Sequence, residues 1–220
     1  MTRPSGMRPL SAPPLAALLI TAAVLLGACG SPTPAPAASP SAATTAPPVL
    51  AVPPAREPVT GVGTVIEVPG GTPELCLGPV RESYPPQCEG VPLAGWNWAE
   101  HPPEQQAGTD GASTSWGSYA VTGTFDGLTL AVTGAVPLAL YDTLARPSPR
   151  PVAPPDLTAA QWATVESGVR LLPGLLTSAR EDDTGPVHVD VVHDDGTLQD
   201  WADAAFGPGA VRVTSMLRSR

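Results

Sequence analysis

No lysine occurs among the 220 residues; all eleven basic side chains are arginine, against twenty Asp and Glu, for a formal net charge of −9. A surface so short of positive charge repels phosphate backbones, which argues against nucleic acid as a partner. The common catalytic signatures are missing too. There is no Gly-x-Ser-x-Gly elbow, no His-Glu-x-x-His, no phosphate-binding Walker loop and no EF-hand spacing. Gly61-Val62-Gly63 opens like a dinucleotide fingerprint but has Ile66 where the third glycine belongs. These absences set aside the commonest enzyme classes. Nor is there an apolar run of the ~20 residues that a spanning helix needs. The all-arginine cations and the abundance of Ala, Gly and Pro suggest a GC-rich genome.

What is present begins with a leader. Arg3 and Arg8 supply a positive start, and Leu15 to Ala28 is an apolar stretch of the ~7–15-residue class typical of secretory signals. Leu26-Gly27-Ala28-Cys29 resembles the lipobox of bacterial lipoprotein signal peptides. That resemblance implies a diacylglycerol thioether on Cys29, removal of residues 1–28 and Cys29 as the first mature residue. Two acyl chains such as palmitate, at about 0.8 kcal/mol per buried methylene, would hold the chain on the outer face of the cell membrane. The membrane is then the first expected partner.

Three cysteines are an awkward number for an exported chain, but with Cys29 lipidated, Cys76 and Cys88 remain as a pair. An oxidising compartment favours a disulfide between them. The alternative, two thiols as metal ligands, lacks a second CxxC or a Cys/His cluster.

Composition divides the rest. Residues 29–58 are nearly all Pro, Ala, Ser and Thr and cannot build a core. They read as an extended tether. Residues 59–136 carry β signals. Gly61 to Val68 is rich in β-branched residues and stops at Pro69-Gly70-Gly71. Ser118–Phe125 and Leu128–Thr133 flank Asp126-Gly127, which predicts a hairpin with a two-residue turn. Tyr119, Val121 and Phe125 then share one face, as do Leu128, Leu130 and Val132. The expected fold here is a small antiparallel β barrel, OB-like in size. Residues 137–155 form a proline-rich connector or strap, with Tyr141 and Leu144 as docking points.

From residue 156 to 220 the period lengthens to about 3.6. Thr158-Ala159-Ala160-Gln161 has the form of a capping box, and Trp162, Val165, Val169 and Leu172 make an apolar stripe ending at Pro173-Gly174. Val187–Val192 reads as a strand and Asp194-Asp195-Gly196 as a turn. Thr197–Phe206 reads as a helix with Leu198, Trp201, Ala202 and Ala205 inward, Gly207-Pro208-Gly209 as its stop, and Val211–Leu217 as a second strand. Helix, strand, helix, strand implies parallel strands joined by a crossover. The fold class is α+β, a β barrel followed by a two-layer helix-strand-helix-strand domain.

Candidate sites are few. Trp96 and Trp98 are two apart and share a face in extended chain; exposed they make a platform for sugar rings or proline-rich ligands, and buried they fill the core with on the order of 400 Å² of aromatic surface. His101 follows them in what reads as a solvated loop. Acids gather at Glu181, Asp182, Asp183, Asp190, Asp194, Asp195, Asp200 and Asp203. Asp190, Asp194 and Asp195 are the candidate Ca²⁺ ligands, since calcium takes oxygen donors; no other cofactor is indicated. The competing use of Asp194, Asp195 and Thr197 is to cap a turn and a helix start. His188 and Asp190 point the same way on a strand, as a base and its orienting partner would, with His193 on the opposite face and no nucleophile assigned.

Cys76-Leu77-Gly78, Tyr84-Pro85-Pro86-Gln87-Cys88, Gly95-Trp96-Asn97-Trp98, Trp116-Gly117-Ser118-Tyr119 and His193 through Trp201 together resemble uncharacterised actinobacterial lipoproteins. The resemblance spans nearly the whole mature chain and implies location and layout, without an activity to carry over. The expectation is a lipid-anchored extracytoplasmic binding or accessory protein whose partner is an envelope protein or cell-wall glycan. The alternatives are an envelope hydrolase using acidic residues and His188, or a module of the protease-inhibitor or propeptide kind.

Overall fold

The computed structural model describes residues 50–108, 112–142, 152–180 and 185–219. The leader 1–28, Cys29, the tether up to residue 49, the connector from 143 to 151 with Leu144, and Glu181, Asp182 and Asp183 lie outside the described residues. The fold is α+β and mostly strand, with a strand-rich sheet domain and a small second domain.

The sheet domain starts with β1 (Val59–Glu67), β2 (Glu74–Cys76) and β3 (Val91–Ala94), then β4 (Gln105–Ala107), β5 (Thr114–Phe125) and β6 (Leu130–Pro137). A 3-10 turn, Leu138–Leu140, follows β6. β1 pairs antiparallel with β5 along its whole length and with β2 at Thr64–Ile66. β2 pairs with β3, β3 runs parallel to β6, and β6 pairs antiparallel with β5, so the chain of pairings returns to β1. β1 can serve neighbours on both sides only where backbones come close. A Cβ on Gly63 would stand 2.0 Å from the Cys76 carbonyl oxygen, and one on Gly123 2.1 Å from that of Ala131. Side-chain alternation sends Val59, Val65, Leu75, Leu93, Tyr119, Val121, Phe125 and Leu130 into one buried core. Ile66, Cys76 and Trp116 face away from it into a smaller cluster with Val80 and Cys88.

The hairpin forms with a different turn from the one the sequence suggests. Phe125 pairs with Leu130, so the connection is Asp126–Thr129, four residues rather than two. The Asp126 carboxylate accepts from the Leu128 and Thr129 N–H groups, Gly127 takes φ +101°, and Leu128 is 79 % exposed instead of joining the core row. The Asp side chain closes the turn locally and so removes the requirement for a two-residue connection. Farther along, a bulge between Thr122 and Gly123 shifts the register of β6.

Residues 50–58, which composition assigns to the tether, are packed. Val52 and Ala55 lie on the sheet-domain core, Leu50 lies on the core of the second domain, and the Ala55 N–H donates to the Phe125 carbonyl at 2.9 Å. A few apolar side chains next to a hydrophobic surface outweigh the proline-rich composition around them.

The second domain holds α1 (Ala159–Val169), β7 (Leu175–Arg180), β8 (Val187–Val191), α2 (Thr197–Phe206) and β9 (Val211–Ser215). The capping box on α1 is complete: Thr158 Oγ1 accepts from the Gln161 N–H, and the Gln161 side chain accepts from the Thr158 N–H. Trp162, Val165, Val169 and Leu172 are buried with Val187, Val189 and Val191 of β8 and Leu198 and Ala202 of α2. β8 and β9 run parallel, as the crossover order implies. β7 was not foreseen and pairs antiparallel with β8. Ala205 is exposed, and Phe206 is the residue that turns inward, against Trp201 at 5.6 Å and over Gly168 of α1. Gln199 stitches α2 to the free edge of β9, accepting from the Val213 N–H at 2.9 Å and donating to the Val211 carbonyl at 3.1 Å.

The last strand ends earlier than its apolar run. Met216 and Leu217 leave β9 with their N–H groups on the Val191 and Val192 carbonyls, and Leu217 is buried in the sheet-domain core. β10 (Arg218–Ser219) then pairs with Val59 and Thr60 of β1. The two domains thus share side chains at a seam, and Pro47–Arg220 forms one compact unit.

Candidate functional site

The aromatic cluster stands where the chain leaves β3. Gly95 takes φ +81°, a conformation that side-chain-bearing residues rarely adopt, and turns Trp96 back onto the sheet. Asn97 closes the next turn. Its carbonyl accepts from the Glu100 and His101 N–H groups, its side chain accepts from the Ala99 N–H, and its amide donates to Glu100. Trp96 and Trp98 are half-buried on the sheet-domain core. They meet edge to face, with ring centres 5.2 Å apart at 82°. Tyr119 lies edge-on to Trp96 at 5.0 Å, and His101 tilts over Trp96 at 4.8 Å. His101 is therefore part of the aromatic packing rather than a solvated loop residue.

The polar edges of the cluster are acidic. Trp98 Nε1–H donates to Glu67 Oε2 at 2.6 Å, and the buried Tyr119 hydroxyl donates to the Pro102 carbonyl. Ser118 donates to Glu104 at 3.2 Å. Burial, and secondarily the Glu104 charge, push the Tyr119 hydroxyl pKa upward. Trp96 Nε1 is buried without a hydrogen-bond acceptor. Indoles at right angles do not form one flat surface, so this geometry closes one end of the core and leaves only ring edges to the outside.

Between β2 and β3 the chain makes an excursion stapled by a Cys76–Cys88 disulfide, with Cα atoms 5.9 Å apart. The pairing expected from the cysteine count is present. The excursion carries the exposed run Arg81, Glu82, Ser83 and Tyr84. The sequence signal for it was the proline pair inside a cysteine-bounded segment.

The acids of the second domain are engaged locally. Asp194 Oδ1 accepts from the Gly196 and Leu198 N–H groups at 3.1 and 2.8 Å, and Asp195 Oδ1 accepts from the Thr197 hydroxyl at 2.7 Å and its N–H at 3.2 Å. The Thr197 hydrogen bonds hold the Asp195 carboxyl pKa below its ordinary value, with a smaller contribution from Arg56. Asp190 accepts from the Thr177 hydroxyl at 2.9 Å. Among the described residues no three His, Cys, Asp or Glu side chains stand in a metal-holding arrangement. The three candidate calcium ligands are used by a turn, a helix start and a neighbouring strand.

His188 and Asp190 lie on the half-exposed face of β8, opposite its buried valines. No nucleophilic side chain makes a hydrogen bond to His188 among the described residues. His193 is buried at the seam between the domains, 2.9 Å from the Pro53 carbonyl and 5.8 Å from the Phe125 ring. Sequence spacing had put it on the other face of the strand without indicating a partner so far away in the chain.

No family model, curated protein or solved structure matches this chain. No helix among the described residues is long and apolar enough to cross a membrane.

Proposed function

We propose that this chain is a lipid-anchored extracytoplasmic binding or accessory protein of the cell envelope, attached through acylated Cys29 and held off the bilayer by its Pro/Ala-rich segment. The observation that carries the reading is the Cys76–Cys88 disulfide. It accounts for two of three cysteines and leaves Cys29, in the lipobox-like Leu26-Gly27-Ala28-Cys29, as the one thiol without a protein partner. A structural disulfide also belongs to an oxidising compartment. The folded part then faces an envelope protein or a cell-wall glycan. The sheet domain is read as a small OB-like barrel of β1, β2, β3, β5 and β6, a class that binds ligands through its loops and one strand face. Two features favour that reading: the pairings return to β1, and only β3 and β6 are parallel.

The test is metabolic labelling with an alkyne fatty acid in a bacterial host with a lipoprotein pathway. Wild-type chain takes up label and sediments with membranes, whereas Cys29→Ala does neither. Unlabelled wild-type protein in the culture medium contradicts the anchor.

A further inference from the structure

The stapled excursion is braced far beyond what a connection between β2 and β3 requires. Arg81 pairs with Gln87 across it, the Arg81 N–H donating to the Gln87 carbonyl at 2.9 Å. Inside that pair the Ser83 N–H donates to the Arg81 carbonyl at 2.8 Å, and the Ser83 hydroxyl donates to the Pro85 carbonyl at 2.9 Å. Pro85 and Pro86 fix their own φ angles. The base rests on Ile66, Cys76 and Trp116 through Val80 and Cys88, and the Tyr84 ring meets Trp116 edge-on at 5.5 Å. Yet the tip is open: Arg81, Glu82 and Ser83 are exposed and Tyr84 is 73 % exposed. Glu82 makes no hydrogen bond or ion pair to a described residue, so the fold has no use for its carboxylate.

Exposed polar loop tips are the usual places where endopeptidases cut, because mobile chain can be drawn into a cleft. A tip already held in one shape enters such a cleft without the ordering cost, and this preorganisation gives tight binding.

We propose that Arg81–Gln87 is an inhibitory loop that docks in the cleft of a serine endopeptidase, with Glu82 in the primary specificity pocket. Glu82 is assigned that place because the Ser83-to-Arg81 hydrogen bond spans it and fixes the peptide on both sides. A pocket for its carboxylate is cationic, so the partner is a glutamate-specific enzyme. Attack by the partner's serine oxygen on the Glu82 carbonyl carbon forms an ester and breaks the Glu82–Ser83 C–N bond, and the proton from the serine passes to the Ser83 amine. The disulfide and the Arg81–Gln87 pair keep that amine beside the ester. Its return re-forms the peptide bond and the free serine faster than water reaches the ester. This names a partner class for the binding role proposed above and is independent of the lipid anchor.

The test uses the mature chain with two probes, a glutamate-specific serine endopeptidase and trypsin, each assayed on a chromogenic substrate. Wild type inhibits the first near one-to-one stoichiometry and leaves trypsin active. Glu82→Lys reverses both results, each by about a hundredfold or more, the scale of losing a buried interfacial charge pair. Glu82→Gln weakens the first inhibition without gaining the second. Unchanged thermal unfolding shows that each variant is folded. The proposal is overturned if wild type leaves the glutamate-specific enzyme active, if wild type inhibits trypsin, if Glu82→Lys leaves trypsin active, or if Glu82–Ser83 is cut as fast as in a reduced, unfolded chain. Any of these results leaves the Cys29 labelling experiment unaffected.

Discussion

His193 Nδ1 lies 2.9 Å from the Pro53 carbonyl, a hydrogen bond across 140 residues of sequence. The carbonyl can only accept, so Nδ1 carries the proton, and the ring is packed beside Phe125 at the seam of the two domains. His193→Ala leaves a cavity and an unpaired carbonyl, and should lower stability by about 2–3 kcal/mol in denaturant unfolding. A loss below about 0.5 kcal/mol, the scale of ordinary surface substitutions, contradicts this role.

The same contact makes the start of the fold testable. Val52 and Ala55 pack on the sheet core, so a chain beginning at Val59 should melt several degrees below one beginning at Leu50. Each lost kcal/mol corresponds to roughly 2–4 °C for a protein of this size. Equal melting temperatures would return residues 50–58 to the tether.

Gly63→Ala is expected to be severe. Its Cβ would stand 2.0 Å from the backbone oxygen of Cys76, which cannot move without disturbing the β1–β2 pairing. A loss of about 2–3 kcal/mol, or failure to fold, follows from overpacking of this kind. Calorimetry of the variant beside wild type measures it.

Reducing the Cys76–Cys88 disulfide, which closes a loop of sequence separation 12, removes about 3 kcal/mol in the chain-entropy model. A reductant should therefore lower the melting temperature by roughly 6–12 °C. Insensitivity to reductant would mean that the bridge does not form.

The pH response follows from two turn carboxylates. The Thr129 and Leu128 N–H groups lower the Asp126 pKa, and the Thr197 hydrogen bonds lower that of Asp195. A folded-state pKa below the unfolded one gives stability that is complete above the unfolded value and lost as pH falls through the folded one. Both turns should hold steady above about pH 5 and weaken below about 4, where carboxylates take up protons. Amide exchange at Thr129 and Thr197 reads this out. Asp126→Asn, which keeps an acceptor without the titrating charge, should flatten the profile at Thr129.

Local signals were legible and distant ones were not. The Thr158–Gln161 box and the Trp162, Val165, Val169 stripe declare α1 from a dozen adjacent residues, and the alternating valines declare β8. β4 (Gln-Gln-Ala) and the two-residue β10 carry no such pattern, because their strand character comes from the partner they pair with. β7 pairs along one side only, and its half-exposed residues blur the alternation. In the aromatic cluster, Trp96 and Trp98 were identified as a pair. Their edge-to-face arrangement depends on the turn at Gly95 and on Tyr119, which no spacing rule connects to them. The cysteine count gave the disulfide, but the bracing of Arg81–Gln87 requires the folded backbone.

The most direct measurement is the mass of the N-terminal peptide of protein extracted from native membranes. The account predicts a chain starting at Cys29 with a thioether-linked diacylglycerol and a disulfide joining Cys76 to Cys88. A free Cys29 thiol, or a mature chain that still carries residues 1–28, contradicts it.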